Sequence, residues 1–218
     1  NGRGDAGFWS QVSAAAMNYT GLPKMVMALS TAIAQPCMGS TIAIRRETLE
    51  AIGSFARFAD VLADDYAIGE AVAELGLKVA VPPMLLTHAC ADTSLAALWQ
   101  HHLRWSATIR SVAPKRHAGS GVTHALPFAL LTALFLPVPG AALIAVALAA
   151  RLLVAFSAER IAGVRRRFIL LLPLADLLEF AAFIASLVTR KIDWRGNRLR
   201  IMGQGRIADR NASITETT

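Results

Sequence analysis

Charge is scarce in this sequence. Only 17% of its 218 residues are Asp, Glu, Lys or Arg, against 55% hydrophobic, and the mean hydropathy is +0.46. Soluble globular domains carry roughly a quarter charged residues, so an ordinary soluble domain is excluded and membrane segments beside a globular part are expected. Acid is scarcer than base, with 15 Asp and Glu against 22 Lys and Arg and a net charge of +7. No nucleic-acid motif accompanies that balance, which therefore suits anionic lipid head groups or a phosphorylated substrate and no nucleic acid. Cysteine is nearly absent. Cys37 and Cys90 are too few for a disulfide scaffold and lack the CxxC spacing of a metal site. The chain begins at Asn1 with nothing resembling a signal peptide, and it reads as a fragment.

The scarcity of charge is uneven along the chain. Residues 125 to 150 contain no charged side chain, and the apolar run continues past Arg151 to Phe156, longer than the roughly 20 residues that cross a bilayer. Pro137, Pro139 and Gly140 interrupt it, so it is either one kinked crossing or a tight hairpin of two shorter pieces. A second apolar segment, Phe168 to Val188, carries Pro173, Asp176 and Glu179. Those two acids are functional if the segment spans, or else cap a re-entrant bend at Pro173. Arg165, Arg166 and Arg167 precede this segment, and Arg190, Lys191, Arg195, Arg198 and Arg200 follow it. A single crossing cannot put both basic flanks in the cytoplasm.

Ahead of these segments, residues 8 to 34 form two apolar helical stretches broken at Gly21-Leu22-Pro23. Residues 36 to 86 alternate strand and helix, an α/β pattern: "GSTIAI" and "LKVAVPP" read as strands, and a helix starts at Asp64 and Asp65. Residues 92 to 112, "DTSLAALWQHHLRWSATIRSV", open on a cap cluster and continue as an amphipathic helix of the interfacial kind. Residues 203 to 218 read as a disordered tail. The chain divides into a globular part with interfacial helices (1–124), membrane segments (125–188) and a basic tail (189–218).

Two clusters carry chemistry. The adjacent carboxylates of Asp64 and Asp65 lie where the helix begins, a position that suits a helix cap or a catalytic acid. On the following helix His101, Arg104 and Trp105 stand at i, i+3, i+4 and share one face. A cation, a second possible cation and a flat ring suit a diphosphate leaving group and a sugar or apolar acceptor; they equally suit an interfacial anchor with a snorkelling Arg and a Trp belt. His88 and Cys90 in "LTHAC" are two possible metal ligands, more simply structural.

Order and spacing carry a resemblance. An acidic "ADDY", then "HHLRW", then membrane helices and the later "DWRGNRLRI" are similar to the family 2 membrane glycosyltransferases, in which an ED or DD acid precedes a Q/RxxRW motif and membrane segments. The finer match is to ceramide glucosyltransferase-like enzymes, and within them to hopanoid-biosynthesis glycosyltransferases. It covers roughly residues 8 to 202. The resemblance implies the C-terminal part of a GT-A-like domain, with Asp65 as catalytic base and Asp64, His101, Arg104 and Trp105 around the substrate. His101 stands where the family has Gln or Arg. It implies a multi-pass protein of the bacterial inner membrane, catalytic side cytoplasmic, with a UDP-sugar donor (UDP-N-acetylglucosamine) and a lipid acceptor such as bacteriohopanetetrol. Ceramide glucosylation and a non-catalytic membrane anchor are the alternative readings. The family's Mg2+ or Mn2+ is held by an upstream DxD that this chain lacks, so no metal ligand is assigned here and no turnover is expected from this chain alone.

Overall fold

The computed structural model describes residues 1–31, 37–163, 168–194, 197–202 and 205–209. Arg165 to Arg167, Arg195, residues 32 to 36 and the tail from residue 210 lie outside the described residues. Helices dominate. α1 (Phe8–Ala16) runs through a π-helical turn, Met17–Gly21, directly into α2 (Leu22–Ser30). The expected break at Gly21-Leu22-Pro23 is absent, because Pro23 falls in the first turn of α2, where its missing N–H meets the widened ladder of the π turn. That turn buries Asn18, Tyr19 and Thr20.

The α/β expectation for residues 36 to 86 is corrected. α3 (Arg46–Ala51) and α4 (Asp64–Glu74) are helices, but among the described residues neither "GSTIAI" nor "LKVAVPP" forms a strand. A strand needs a neighbour to satisfy its N–H and C=O groups, and no strand of the described chain runs beside either stretch. α3 and α4 nevertheless share a small core of Ile52, Phe58, Ile68, Ala71 and Val72. The one parallel pair in this half joins β1 (Gly2–Arg3) to β2 (His88–Ala89).

α5 (Leu95–Val112) matches its expected span, capped by the Ser94 hydroxyl accepting from the Ala97 amide at 3.1 Å. α6 (Pro114–Ser120) follows, and α7 (Ala125–Phe135) and α8 (Pro137–Ala162) then form a hairpin. Of the two sequence alternatives the hairpin is therefore realised. Leu136 turns it, and Gly140 allows it to close: a Cβ there would sit 2.2 Å from the Ala133 Cα. α9 (Leu172–Val188) packs along α5. Pro137–Ala162 and Ile169–Val188 are each long and apolar enough to cross a membrane.

After α9 the described residues form strands, one of them inside the stretch 203 to 218 that read as a disordered tail. β3 (Lys191–Trp194), β4 (Asn197–Ile201) and β5 (Ile207–Asp209) form an antiparallel sheet. Sequence alone did not show it because part of its edge pairing is tertiary: the Ile207 amide donates to Asp60 O and the Leu62 amide to Gly205 O, at 2.8 and 2.9 Å. Ile192 and Leu199 bury their side chains against Ala107 of α5.

The main core gathers Val12, Ala14, Ala15, Ala16 and Tyr19 of the first helix, Leu98 of α5, Ala155 of α8, and Leu172 and Ala175 of α9. At its edge Arg151, the lone charge inside an apolar run, forks onto Asp176 through Nε and an Nη at 2.7 and 2.6 Å. The same guanidinium donates to Tyr19 O and Thr20 Oγ1, each at 2.9 Å. Both charged side chains are nearly covered, so removing one strands the other. Arg151→Met is expected to lower stability by about 3–5 kcal/mol, read as a fall in denaturant midpoint in detergent micelles. Arg151→Met combined with Asp176→Leu should recover most of that loss, and a double variant as unstable as the single one would disprove the pairing.

Candidate functional site

α4 begins at the acid pair, and the two carboxylates are not equivalent. Asp64 is exposed and its Oδ1 accepts from the Asp65 amide, at 2.9 Å. Asp65 is half-buried: Oδ1 accepts from the Tyr66 amide at 2.7 Å, and Oδ2 reaches across to the Gly39 amide at 2.9 Å. The absence of a Cβ at Gly39 lets the loop approach this closely: a Cβ there would come within 2.7 Å of that oxygen and displace the carboxylate. Cys37 lies in the same loop, its thiol pushed up by burial and then by the Asp65 charge. Each Asp65 oxygen thus accepts one backbone bond and retains lone-pair capacity for another donor.

α5 presents two stripes. His101, Arg104 and Trp105 lie on one, and the His101 and Trp105 rings meet edge to face with centroids 4.8 Å apart. Behind them Asp92, buried, approaches His101 Nδ1 at 3.1 Å through Oδ2. Burial pushes the His101 pKa below its ordinary 6.5 and outweighs the Asp92 carboxylate, which acts in the opposite direction. At neutral pH His101 is therefore a neutral hydrogen-bonding ring, not the second cation the sequence allowed. Arg104 is the fixed cation: burial lowers its pKa and Asp92 opposes, but an Arg starts so far above neutrality that it stays charged. Trp105 is 44% exposed, leaving ring surface for a ligand.

The other stripe, His102, Ser106 and Arg110, faces α9. His102 Nδ1 meets Glu179 Oε1 at 2.5 Å, the Ser106 hydroxyl meets that of Ser186 at 3.1 Å, and Arg110 donates to Thr189 O at 2.5 Å. Ser106 and Ser186 also lie 3.0 and 3.2 Å from His117 Nε2. Asp176 and Glu179 are thus tied to Arg151 and His102, and neither caps a bend at Pro173.

The described chain brings His101, Arg104 and Trp105 together, and makes no hydrogen bond or ion pair between them and Asp65. The two clusters connect indirectly: Leu62, three residues before Asp65, packs with Ala107 of α5, and Arg116 of α6 donates to the Tyr66 hydroxyl at 3.3 Å. Sequence reasoning missed Gly39 and Asp92. Gly39 lies in "GSTIAI", which read as a strand, and its contact spans 26 residues. Asp92 looked like part of a cap, and its partner is nine residues on, at no helical spacing. His88 is exposed and Cys90 buried, and among the described residues no three His, Cys, Asp or Glu side chains converge to hold a metal ion. The Mg2+ or Mn2+ of the resemblance has no fitting donor set there, and no step below runs through one.

The family model described as Glycosyl transferase family 21 matches residues 1–207. No curated protein and no solved structure matches the chain.

The burial of His101 has a measurable consequence. With imidazole carbons labelled and its signal assigned by its loss in His101→Gln, His101 should titrate below pH 6.5 by NMR. A midpoint above 6.5 would mean that the Asp92 carboxylate outweighs burial and that the ring is a cation near neutrality.

Proposed function

The chain belongs to glycosyl transferase family 21, and from that membership we propose that it forms the acceptor side of an inverting enzyme moving a sugar from a UDP-sugar to a membrane lipid alcohol. The donor proposed is UDP-N-acetylglucosamine and the acceptor a hopanoid such as bacteriohopanetetrol, both from the finer resemblance of "ADDY", "HHLRW" and "DWRGNRLRI". The observation that carries the reading is the asymmetry of the acid pair: Asp65, not Asp64, is turned inward onto the Gly39 amide.

In this reading Asp65 is the general base. Its carboxylate takes the proton of the acceptor hydroxyl as that oxygen bonds to the anomeric carbon from one face. The bond from that carbon to the diphosphate breaks on the other, inverting the centre, and UDP leaves. The bonds from the Gly39 and Tyr66 amides hold the carboxylate in one orientation, which is what a base acting at hydrogen-bond distance requires. Arg104 supplies positive charge where the diphosphate departs. His101, kept neutral, donates or accepts a hydrogen bond there, and Trp105 offers its ring to sugar or lipid. The exposed apolar residues Met25, Val26, Met27 and Leu29 of α2 suit an acceptor that stays in the bilayer. No metal-dependent step is assigned to this chain's residues.

Asp65→Asn in the enzyme expressed at full coding length should abolish transfer while the protein still folds and inserts, and Asp64→Asn should be milder. Transfer by Asp65→Asn within tenfold of wild type, about 1.4 kcal/mol of barrier, would exclude Asp65 as the base. Arg104→Ala should lower kcat, and Trp105→Ala should raise the KM for the acceptor. Negligible effects from both, in inserted protein, would return α5 to the anchor reading.

A further inference from the structure

Two helices here have the length and hydropathy to cross a bilayer, but their attachments argue otherwise. α9 is held at both ends by the same body. Two residues past its C-terminus β3 begins, and the sheet it starts pairs with Asp60 and Leu62, immediately before the acid pair. At its N-terminal end Leu172 and Ala175 are buried in the core with Val12, Leu98 and Cys90. Between those ends it runs parallel to α5, through the contacts of His102, Ser106 and Arg110 with Glu179, Ser186 and Thr189.

α5 in turn lies along the globular part. Its first half contacts Asp92, its second half packs on Leu62, and the helix after it reaches Tyr66. If α9 crossed a membrane, α5 would be drawn across with it, carrying Arg104 and Arg110 into hydrocarbon, where each charge is expensive.

The part of the α7–α8 hairpin that projects beyond Arg151 is also too short to cross. From Arg151, where α8 is fastened to Asp176 and the π turn, back to Pro137 there are 14 residues, about 21 Å at 1.5 Å each, against a hydrocarbon core of about 30 Å. α7 is shorter, 11 residues. Everything from 125 to 150 lacks charge, and the tip is bare: Phe135 and Val138 are each 82% exposed. At the bases stand exposed cations, Lys115 and Arg116 before the hairpin and Arg190 and Lys191 after α9.

We propose that the described chain enters one leaflet only: the α7–α8 hairpin dips in and returns, α9 lies in the membrane plane with Leu177, Ile184 and Leu187 toward the acyl chains, and the exposed cations at both bases face the anionic head groups of that same leaflet. Lys115 and Arg116 before the hairpin and Arg190 and Lys191 after α9 then sit on one side, which a single crossing between them forbids. The surface belongs to a re-entrant membrane protein in which no described helix crosses the bilayer, and this holds whether or not the chain transfers sugar.

The test uses single cysteines in a Cys37→Ser, Cys90→Ala background, reconstituted in sealed vesicles of phosphatidylethanolamine and phosphatidylglycerol. Val122→Cys precedes the hairpin, Val138→Cys marks its tip and Lys191→Cys follows α9. With membrane-impermeant maleimide, positions 122 and 191 should label from the same side in every preparation, and the tip from neither side until detergent is added. A spin label at the tip should show oxygen accessibility well above that of a water-soluble nickel reagent. Labelling of positions 122 and 191 from opposite sides, or of the tip from the side opposite 122, would overturn the proposal. Leu136→Cys serves as a second tip position should Val138→Cys fail to insert.

Discussion

A single arginine in an apolar run decides how this chain is assembled. Arg151 sits among residues that otherwise offer it nothing polar, and a buried guanidinium must find partners for its donors. Its four hydrogen bonds, two to Asp176 and one each to Tyr19 O and Thr20 Oγ1, join three segments far apart in sequence. They fix α8 against α9 and the π turn, and so determine which part of α8 is left to project with α7. The neighbouring Tyr19 hydroxyl donates to Glu159 at 2.6 Å, a second tie between the same turn and the last turns of α8. Polar bonds of this kind give a membrane-facing assembly its register, since apolar helix faces alone pack nearly as well against lipid as against each other.

With that junction in place, α5 is a helix with two jobs separated by about a third of a turn. The stripe of His102, Ser106 and Arg110 is bound to α9, whereas that of His101, Arg104 and Trp105 is not. The bound stripe immobilises the other, and under the function proposed above a group that meets a departing diphosphate gains from being held in advance. Asp92 then holds His101 from behind.

The arrangement is consistent with a transferase that works at a bilayer surface. In the proposed reading, a body anchored in one leaflet would keep its acid pair near the head groups, where a lipid hydroxyl could approach without leaving the membrane and a water-soluble donor could enter from solvent. The asymmetry between Asp64 and Asp65 has a local cause, the close approach of the Gly39 loop, where a Cβ would push against the Asp65 carboxylate.

Much of this was legible in the residues. Helices show in the sequence when their pattern is local: α5 with its Ser94 cap, α4 beginning at the acid pair, and the interrupted charge-free run that became a hairpin. The grouping of His101, Arg104 and Trp105 follows from helical spacing alone. What the sequence could not decide depends on partners remote along the chain. "LKVAVPP" has the composition of a strand but no neighbouring strand to bond with, while residues 207 to 209, which look like a tail, are a strand because Asp60 and residues of β4 offer the missing donors and acceptors. Whether Asp176 and Glu179 are functional, cap a bend or pair with Arg151 and His102 is a question of which helix lies beside them. Hydropathy measures only the transfer of a segment into lipid, so it identified α8 and α9 as able to cross; their fastening at Arg151, at Leu172 and through the β3–β5 sheet argues that they do not, because a helix tied at both ends to one body has no second side to reach.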